Sequence, residues 1–218
     1  MEKRNYAKEM EAIVRSSGEK RPRVLLHSCC GPCSSSVLEN LTRHFEVTLL
    51  WYNPNLYPEE EFEKRYRTQL EIIEKMNLSD RVKVLALPWG SEAYFAAAAG
   101  LEQEPEGGKR CEQCFRLRLQ ECAGRAKELG MDYFCTTLTV SRYKNAPLIN
   151  AIGEEIAARE KIPWLPCDFK KNGGEMRSNE LSRQYGIYRQ NYCGCKFSLE
   201  NRDVRSIEEP ATEKEEKQ

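Results

Sequence analysis

The sequence lacks any excess of charge of one sign: 34 basic residues stand against 34 acidic ones in 218. A chain with no net positive field has no global pull toward nucleic acid, so any such binding must come from local groups. It also lacks a long apolar run. The longest are of the kind Val47-Thr48-Leu49-Leu50-Trp51-Tyr52, far short of the roughly 20 apolar residues that a membrane-spanning helix needs, so no membrane partner is expected. The charged start, Met1-Glu2-Lys3-Arg4-Asn5-Tyr6, has no apolar region behind it. A secretory signal is therefore not expected, and the cytoplasm is the expected location. No internal repeat is present. With 40% hydrophobic and 31% charged residues, the composition excludes a disordered chain and fits one globular domain.

What the sequence does have is cysteine, ten in all. Seven of them fall in three groups: Cys29-Cys30-Gly31-Pro32-Cys33, Cys111-Glu112-Gln113-Cys114 and Cys193-Gly194-Cys195. A reducing compartment rarely tolerates structural disulfides, so such groups point to metal or redox chemistry. A disulfide between the neighbours Cys29 and Cys30 would close a strained ring, whereas two adjacent thiolates can bind different corners of a cluster. Cys111 and Cys114 have the spacing used at zinc and iron–sulfur sites. Cys29, Cys30, Cys111 and Cys114 together supply the four thiolates of a [4Fe-4S] cluster, which leaves Cys33 close by for a second metal ion.

Two other chemistries use the same residues. Cys30-Gly31-Pro32-Cys33 after a strand and before a helix matches a thioredoxin-like redox motif, though it leaves the other cysteine groups unexplained. Cys30, Cys33, Cys111 and Cys114 make a four-thiolate zinc set, but the gap between the pairs far exceeds the loop of a zinc ribbon. The Cys193/Cys195 pair differs in kind: a disulfide across one residue is strained and readily reduced, which suits a two-electron shuttle. Cys122 and Cys135 read as small buried hydrophobes, and Cys167 is left without a role.

Periodicity predicts helices over 5–17, 34–44, 58–76, 111–129, 145–161 and 181–188, with a short helix and a loop between 88 and 108. On the helix at 58–76, Phe62, Tyr66, Leu70 and Ile73 form the apolar face. Short apolar runs at 23–27, 46–52, 82–87 and 133–137 read as buried strands, and 162–166 as a further short one. Alternating strands and helices predict an α/β fold with a mainly parallel sheet flanked by helices. We expect an N-terminal helical extension (1–21), a single α/β catalytic domain (22–200) and a polar acidic tail (201–218). The 27–36 segment falls at the carboxyl end of the first strand, where open α/β sheets bind ligands. The helix that follows presents N–H groups and a positive dipole end that favour anionic sulfur.

Near the cysteines lie small groups of cations: Lys109, Arg110, Arg116 and Arg118; Arg142 and Lys144; Lys170, Lys171 and Arg177. His27, Tyr143, Asp168 and Tyr192 are candidates for proton transfer or base stacking.

Five ordered segments resemble one family. They are Val24-Leu25-Leu26-His27-Ser28-Cys29-Cys30-Gly31-Pro32-Cys33-Ser34-Ser35, Trp51-Tyr52-Asn53-Pro54-Asn55, Arg110-Cys111-Glu112-Gln113-Cys114-Phe115-Arg116-Leu117-Arg118, Phe134-Cys135-Thr136-Thr137-Leu138-Thr139-Val140-Ser141, and Tyr188-Arg189-Gln190-Asn191-Tyr192-Cys193-Gly194-Cys195-Lys196-Phe197-Ser198. In order and spacing they resemble the cobalamin-independent epoxyqueuosine reductase QueH family over about residues 22–199. The resemblance implies a fold like the adenine-nucleotide α-hydrolase (PP-loop, HUP-like) type, with cysteines in place of a glycine-rich phosphate cradle. It implies reduction of the epoxide of epoxyqueuosine at the tRNA wobble position, the last step of queuosine synthesis. By the same resemblance Cys29, Cys30, Cys111 and Cys114 are the [4Fe-4S] ligands, and Cys193 and Cys195 the redox-active disulfide pair. An additional mononuclear iron is implied beside the cluster, with Cys33 as a candidate ligand. The partners implied are tRNA carrying epoxyqueuosine in the anticodon and an electron donor still to be identified. Arg110, Arg116, Arg118, Arg142, Tyr143 and Lys144 are then the candidates for contact with that RNA.

Overall fold

The structure is a computed structural model that describes residues 4–201. Helix α1 (Tyr6–Ser17) is capped by Asn5, whose side chain accepts from the Lys8 N–H, as short polar residues do at helix starts. The chain continues through β1 (Arg23–Ser28), α2 (Gly31–Leu41), β2 (Glu46–Trp51), α3 (Glu59–Lys75), β3 (Val82–Ala86), α4 (Glu92–Ala98), α5 (Lys109–Glu128) and β4 (Tyr133–Thr136). A 3₁₀ turn (Thr137–Val140), α6 (Ala146–Glu160), a second 3₁₀ turn (Lys171–Gly173) and α7 (Gly174–Gln184) complete it, and residues 196–201 are helical. The expected tail lies outside the described residues from 202 on.

The sheet has the order β3-β2-β1-β4 and every pairing is parallel. This is the expected α/β class, a Rossmann/HUP-like sheet with helices on its faces. β1 is central, and Val24 to Ser28 are all buried, which is why it reads as a continuous apolar run and not as an alternation. The connections run outward from β1 to β2 and β3, then reverse to β4. The switch point therefore lies between β1 and β4, where open sheets leave a crevice at their carboxyl ends. α1 is tied to this core through Met10 and through the ion pair of Arg4 with Glu154 on α6. No helix among the described residues is long and apolar enough to cross a membrane.

Four expectations need correction. Helix α2 starts at Gly31 and not at residue 34. Pro32 fits its first turn, where the missing N–H has no partner to lose, and the Cys30 sulfur accepts from the Cys33 N–H at 3.3 Å. The expected strand at 162–166 is only a bridge at Trp164, with one bond on each side of Phe134; Pro163 and Pro166 have no N–H to extend it. Helix α7 begins at Gly174, well before the expected start at 181, and ends at Gln184, leaving Tyr188 outside. The Gly173-Gly174 pair is the helix entry: Gly173 adopts φ 79°, and Gly174 lies against the Phe169 carbonyl with no room for a Cβ. On α3 the buried face is rotated from the expected one. Leu70 is 40% exposed, while Arg65, Thr68, Gln69 and Ile72 are buried beside Phe62 and Ile73.

Candidate metal and redox centre

β1 ends at Ser28, and the chain then turns at Cys29 and Cys30 into α2. The turn is pegged on both sides: the Ser28 hydroxyl donates to Gln69 Oε1 at 2.8 Å, and Asn53 Nδ2 donates to the Ser28 carbonyl at 2.8 Å. Gly31 sits so close to α3 that a Cβ would lie 2.7 Å from the Thr68 carbonyl oxygen. The sulfurs of Cys29, Cys30 and Cys33 consequently gather within 4.8 Å of one another. Hydrogen bonds from Cys30 and Cys33 hold the Cys29 thiol well below its usual range. Burial pushes Cys30 up to about 12, and the bonds to Cys29 and Cys30 push Cys33 up. The start of α2 favours a negative charge here.

His27 is fully buried under this turn. Its Nδ1 lies 2.9 Å from Thr136 Oγ1 and its Nε2 lies 3.1 Å from the Tyr52 carbonyl. A carbonyl only accepts, so Nε2 carries the proton; Nδ1 accepts from the Thr136 hydroxyl, which itself accepts from the Leu138 N–H. The ring is neutral and structural. Burial, helped by the nearby Arg118 charge, lowers its pKa from 6.5 to about 4. The unfolded chain therefore binds a proton below pH 6.5 that the folded chain refuses until about pH 4. Stability of the metal-free protein should fall as pH drops through that window, by about 3 kcal/mol in full. Urea midpoints between pH 7 and pH 4.5 check this; a His27→Gln variant with an equally steep pH slope would refute it.

The opposite wall comes from α5 and the C-terminal segment. Cys111 and Cys114 occupy the first turns of α5, and the Cys111 sulfur accepts from the Gly107 N–H at 3.2 Å. Cys114 packs with Cys195, Tyr94 and Ala98 in a small apolar cluster flanked by Phe197. Tyr94 packs beside Cys195, and its hydroxyl acts to lower the Cys195 thiol's pKa against the effect of burial. Burial pushes Cys114 up to about 12 and also raises Cys111 and Cys195. Three cations stand among these sulfurs. Arg118 is buried; its Nε donates to the Cys114 carbonyl at 3.1 Å, and its Nη2 has no hydrogen-bond partner among the described residues. Burial opposes its charge, yet the sulfurs of Cys114, Cys29, Cys193 and Cys111 raise its pKa. Lys144 Nζ lies 3.8 Å from Cys193 Sγ, and its pKa is raised by Cys193 and then by Cys29 and Cys33. The buried Arg65 feels Cys30 and Cys29. Arg118 and Lys144 thus each feel sulfurs of more than one cysteine group, while among the described residues only Cys29, Cys30 and Cys33 gather within 4.8 Å of one another. Soft sulfur donors, three surrounding cations and an unpartnered buried guanidinium nitrogen fit a thiolate-bound group of net negative charge.

The surface candidates divide. Arg110 is buried, donates to the Leu101 and Glu102 carbonyls at 3.1 and 2.6 Å, and lies 4.4 Å over the Phe197 ring. Arg118 faces the sulfurs. Both guanidinium groups are buried, at 2% exposure each. Arg116 is paired with Glu112 and Glu155, and Arg142 with Glu175. Tyr143 is 80% exposed beside Lys144, at the rim. Asp168 pairs with Lys170, and Tyr192 donates to the Tyr57 carbonyl. Arg65, Glu61 and Tyr94 escaped the sequence reading. Arg65 stands in the charged run Glu59-Glu60-Glu61-Phe62-Glu63-Lys64-Arg65, which looks like a solvated face.

Residues 24–201 match the family model described as "Epoxyqueuosine reductase QueH". Curated proteins of that name from three bacteria are similar to the chain. The Staphylococcus epidermidis protein is 40% identical over 204 residues, covering 90% of this chain and 85% of its own. The Streptococcus pyogenes serotype M1 protein is 36% identical over 211 residues, 95% of this chain and 83% of its own. The Thermotoga maritima protein is 34% identical over 185 residues, 85% of this chain and 94% of its own.

Proposed function

This chain belongs to the epoxyqueuosine reductase QueH family and is an oxidoreductase; on that footing we propose that it reduces epoxyqueuosine to queuosine at the wobble position of tRNA in the cytoplasm. In this reading Cys29, Cys30, Cys111 and Cys114 hold a [4Fe-4S] cluster, and Cys193 and Cys195 are a redox-active pair. Cys33, whose sulfur lies with those of Cys29 and Cys30 within 4.8 Å, is the thiol left to hold an additional iron. When bound, such a centre passes electrons singly and offers an iron that can act as a Lewis acid. The observation that carries the reading is the match of residues 24–201 to the family model, with the sulfurs of Cys29, Cys30 and Cys33 gathered within 4.8 Å of one another.

Converting an epoxide to an alkene consumes two electrons and two protons and releases water. A Cys193/Cys195 dithiol that closes to a disulfide releases the same two electrons and two protons. One turnover therefore balances, and an external reductant then reopens the disulfide. Around this chemistry the chain's own groups have definite tasks. Lys144 sets a positive charge 3.8 Å from the Cys193 sulfur. Tyr94 offers a hydrogen bond to Cys195. Arg118 offsets the charge of the sulfurs from beneath. At the rim, the exposed Tyr143 ring offers a stacking face for a nucleotide of the anticodon loop, with Arg142 beside it for phosphate contact. Tyr143→Ala should weaken RNA binding about tenfold, the scale of one lost base–aromatic stack; affinity unchanged at both low and moderate salt would remove Tyr143 from the interface.

The test of the whole reading is anaerobic purification followed by assay of iron, acid-labile sulfide and zinc, and then turnover on tRNA bearing epoxyqueuosine. About four irons and four sulfides per chain, with conversion to the alkene, is the expected result. Colourless protein holding one zinc, without turnover, would overturn it.

A further inference from the structure

The Cys193-Gly194-Cys195 segment is held by something other than the sulfurs. Three successive carbonyls, those of Tyr192, Cys193 and Gly194, are hydrogen-bonded to the stretch of chain around the start of α3. Arg65 Nη2 donates to the Tyr192 carbonyl at 3.3 Å, Arg65 Nη1 to the Cys193 carbonyl at 3.0 Å, and the Tyr57 N–H to the Gly194 carbonyl at 2.8 Å. The guanidinium also lies 5.2 Å from the Tyr192 ring centre. Its remaining edge is taken by Glu61, at 2.7 Å from Nε, and Glu61 in turn accepts from the Tyr188 hydroxyl at 3.1 Å. Arg65 is 1% exposed.

Burying an arginine–glutamate pair is expensive and adds little net stability compared with an apolar pair of the same shape. The planar fork of arginine does what an apolar pair cannot: it reads two neighbouring carbonyls at fixed angles. None of these contacts involves Cys29, Cys30, Cys33, Cys111 or Cys114. The same guanidinium is close enough to Cys29 and Cys30 for their sulfurs to act on it. Its hydrogen bonds thus hold the main chain of the third cysteine group, while its charge is felt by the first.

We propose that Arg65 is a positioning residue that sets the seat of the Cys193/Cys195 pair against the cysteine centre, with Glu61 and Tyr188 holding it in register. The proposal rests on the reading of that pair as the two-electron donor: the two thiols give two electrons and two protons and become a disulfide as the epoxide becomes an alkene and water. A misplaced pair would slow this delivery while leaving the metal ligands and the RNA rim untouched. Misplacement of a reacting group by about 1 Å typically costs on the order of 100-fold in rate.

Arg65→Gln, Arg65→Lys and Cys195→Ser proteins, each with reconstituted metal, are compared with the parent. Iron and sulfide per chain, affinity for tRNA, and rates of single and multiple turnover with dithiothreitol as reductant are measured. Arg65→Gln should keep its iron, its RNA affinity and its KM. Its kcat in multiple turnover should fall roughly 10- to 100-fold, and Arg65→Lys, which can still reach one carbonyl, should recover part of that loss. Normal multiple turnover by Arg65→Gln beside an impaired Cys195→Ser overturns the positioning role alone. Full turnover by Cys195→Ser overturns the donor reading and the proposal with it. Loss of iron in step with loss of rate in Arg65→Gln assigns Arg65 to the scaffold and also overturns the proposal. Should Arg65→Gln fail to fold, the decision passes to Arg65→Lys: a lowered kcat with full iron supports the positioning role, and a normal kcat ends it.

Discussion

Cys114→Ser should lose most of its iron and acid-labile sulfide, and its turnover should fall by about three orders of magnitude or more. A thiolate is the ligand for iron–sulfur centres, and a serine hydroxyl is far too weak an acid to replace it. The site amplifies the difference. Burial pushes the Cys114 thiol up to about 12, so it ionises only when a metal takes the place of its proton, and metal binding and deprotonation are one event. In serine that event is out of reach at neutral pH. The fold should survive, because the residue is small and its neighbours Tyr94, Ala98 and Phe197 still pack on one another. Cys122→Ala is the matching control. Cys122 lies on the same helix but faces the Leu25 carbonyl at 3.7 Å inside the main core. Its replacement should cost about 1 kcal/mol of stability with iron and turnover kept. A Cys114→Ser protein as brown and as active as the parent would remove Cys114 from the ligand set.

Much of this arrangement is legible in the sequence, for physical reasons. β1 and β2 are buried on both faces, so they appear as unbroken apolar runs bounded by polar and proline punctuation, and their limits come out within a residue. The place of the 29–33 group follows from the same pattern, since a strand that ends in a turn before a helix in a parallel sheet can only deliver its turn to the carboxyl edge. What the sequence hides is polar burial. Arg65 and Gln69 lie one turn apart on the inner face of α3, where periodicity reads them as solvated and puts Leu70 inside in their place. Their partners are main-chain and side-chain atoms distant in sequence: the carbonyls of Tyr192 and Cys193 for one, the Ser28 hydroxyl for the other. Arg110 and Arg118 are buried in the same way. A basic run beside a CxxC suggests an RNA surface, yet α5 turns both guanidinium groups inward, one to cap the carbonyls at 101 and 102, the other to face the sulfurs.

Gly194→Ala should be the most damaging change that touches no sulfur. Gly194 adopts φ 116°, a region that side-chain-bearing residues enter at a cost of about 1–3 kcal/mol. Its missing Cβ also leaves the space that Leu56 and Arg65 fill: a methyl there would press on Leu56 Cδ2 and, at 2.7 Å, on Arg65 Nη1. Overpacking of that kind typically adds about 1–3 kcal/mol. The combined penalty, about 2–6 kcal/mol, is comparable to or larger than what the three hydrogen bonds to the segment's carbonyls supply at about 1 kcal/mol each, so the segment should leave its seat before the domain unfolds. Cys193 and Cys195 would then be detached while Cys29, Cys30, Cys111 and Cys114 stay where β1, α2 and α5 put them. The expected protein holds normal iron and sulfide, shows a thermal midpoint close to the parent's, alkylates Cys195 much faster because the residue has left the Tyr94 pocket, and loses at least about 100-fold in multiple turnover. Slow alkylation together with normal turnover would mean that the glycine is dispensable and that Arg65 and Leu56 move aside. Loss of iron would mean instead that the C-terminal segment is needed to hold the metal and not only to reduce the substrate.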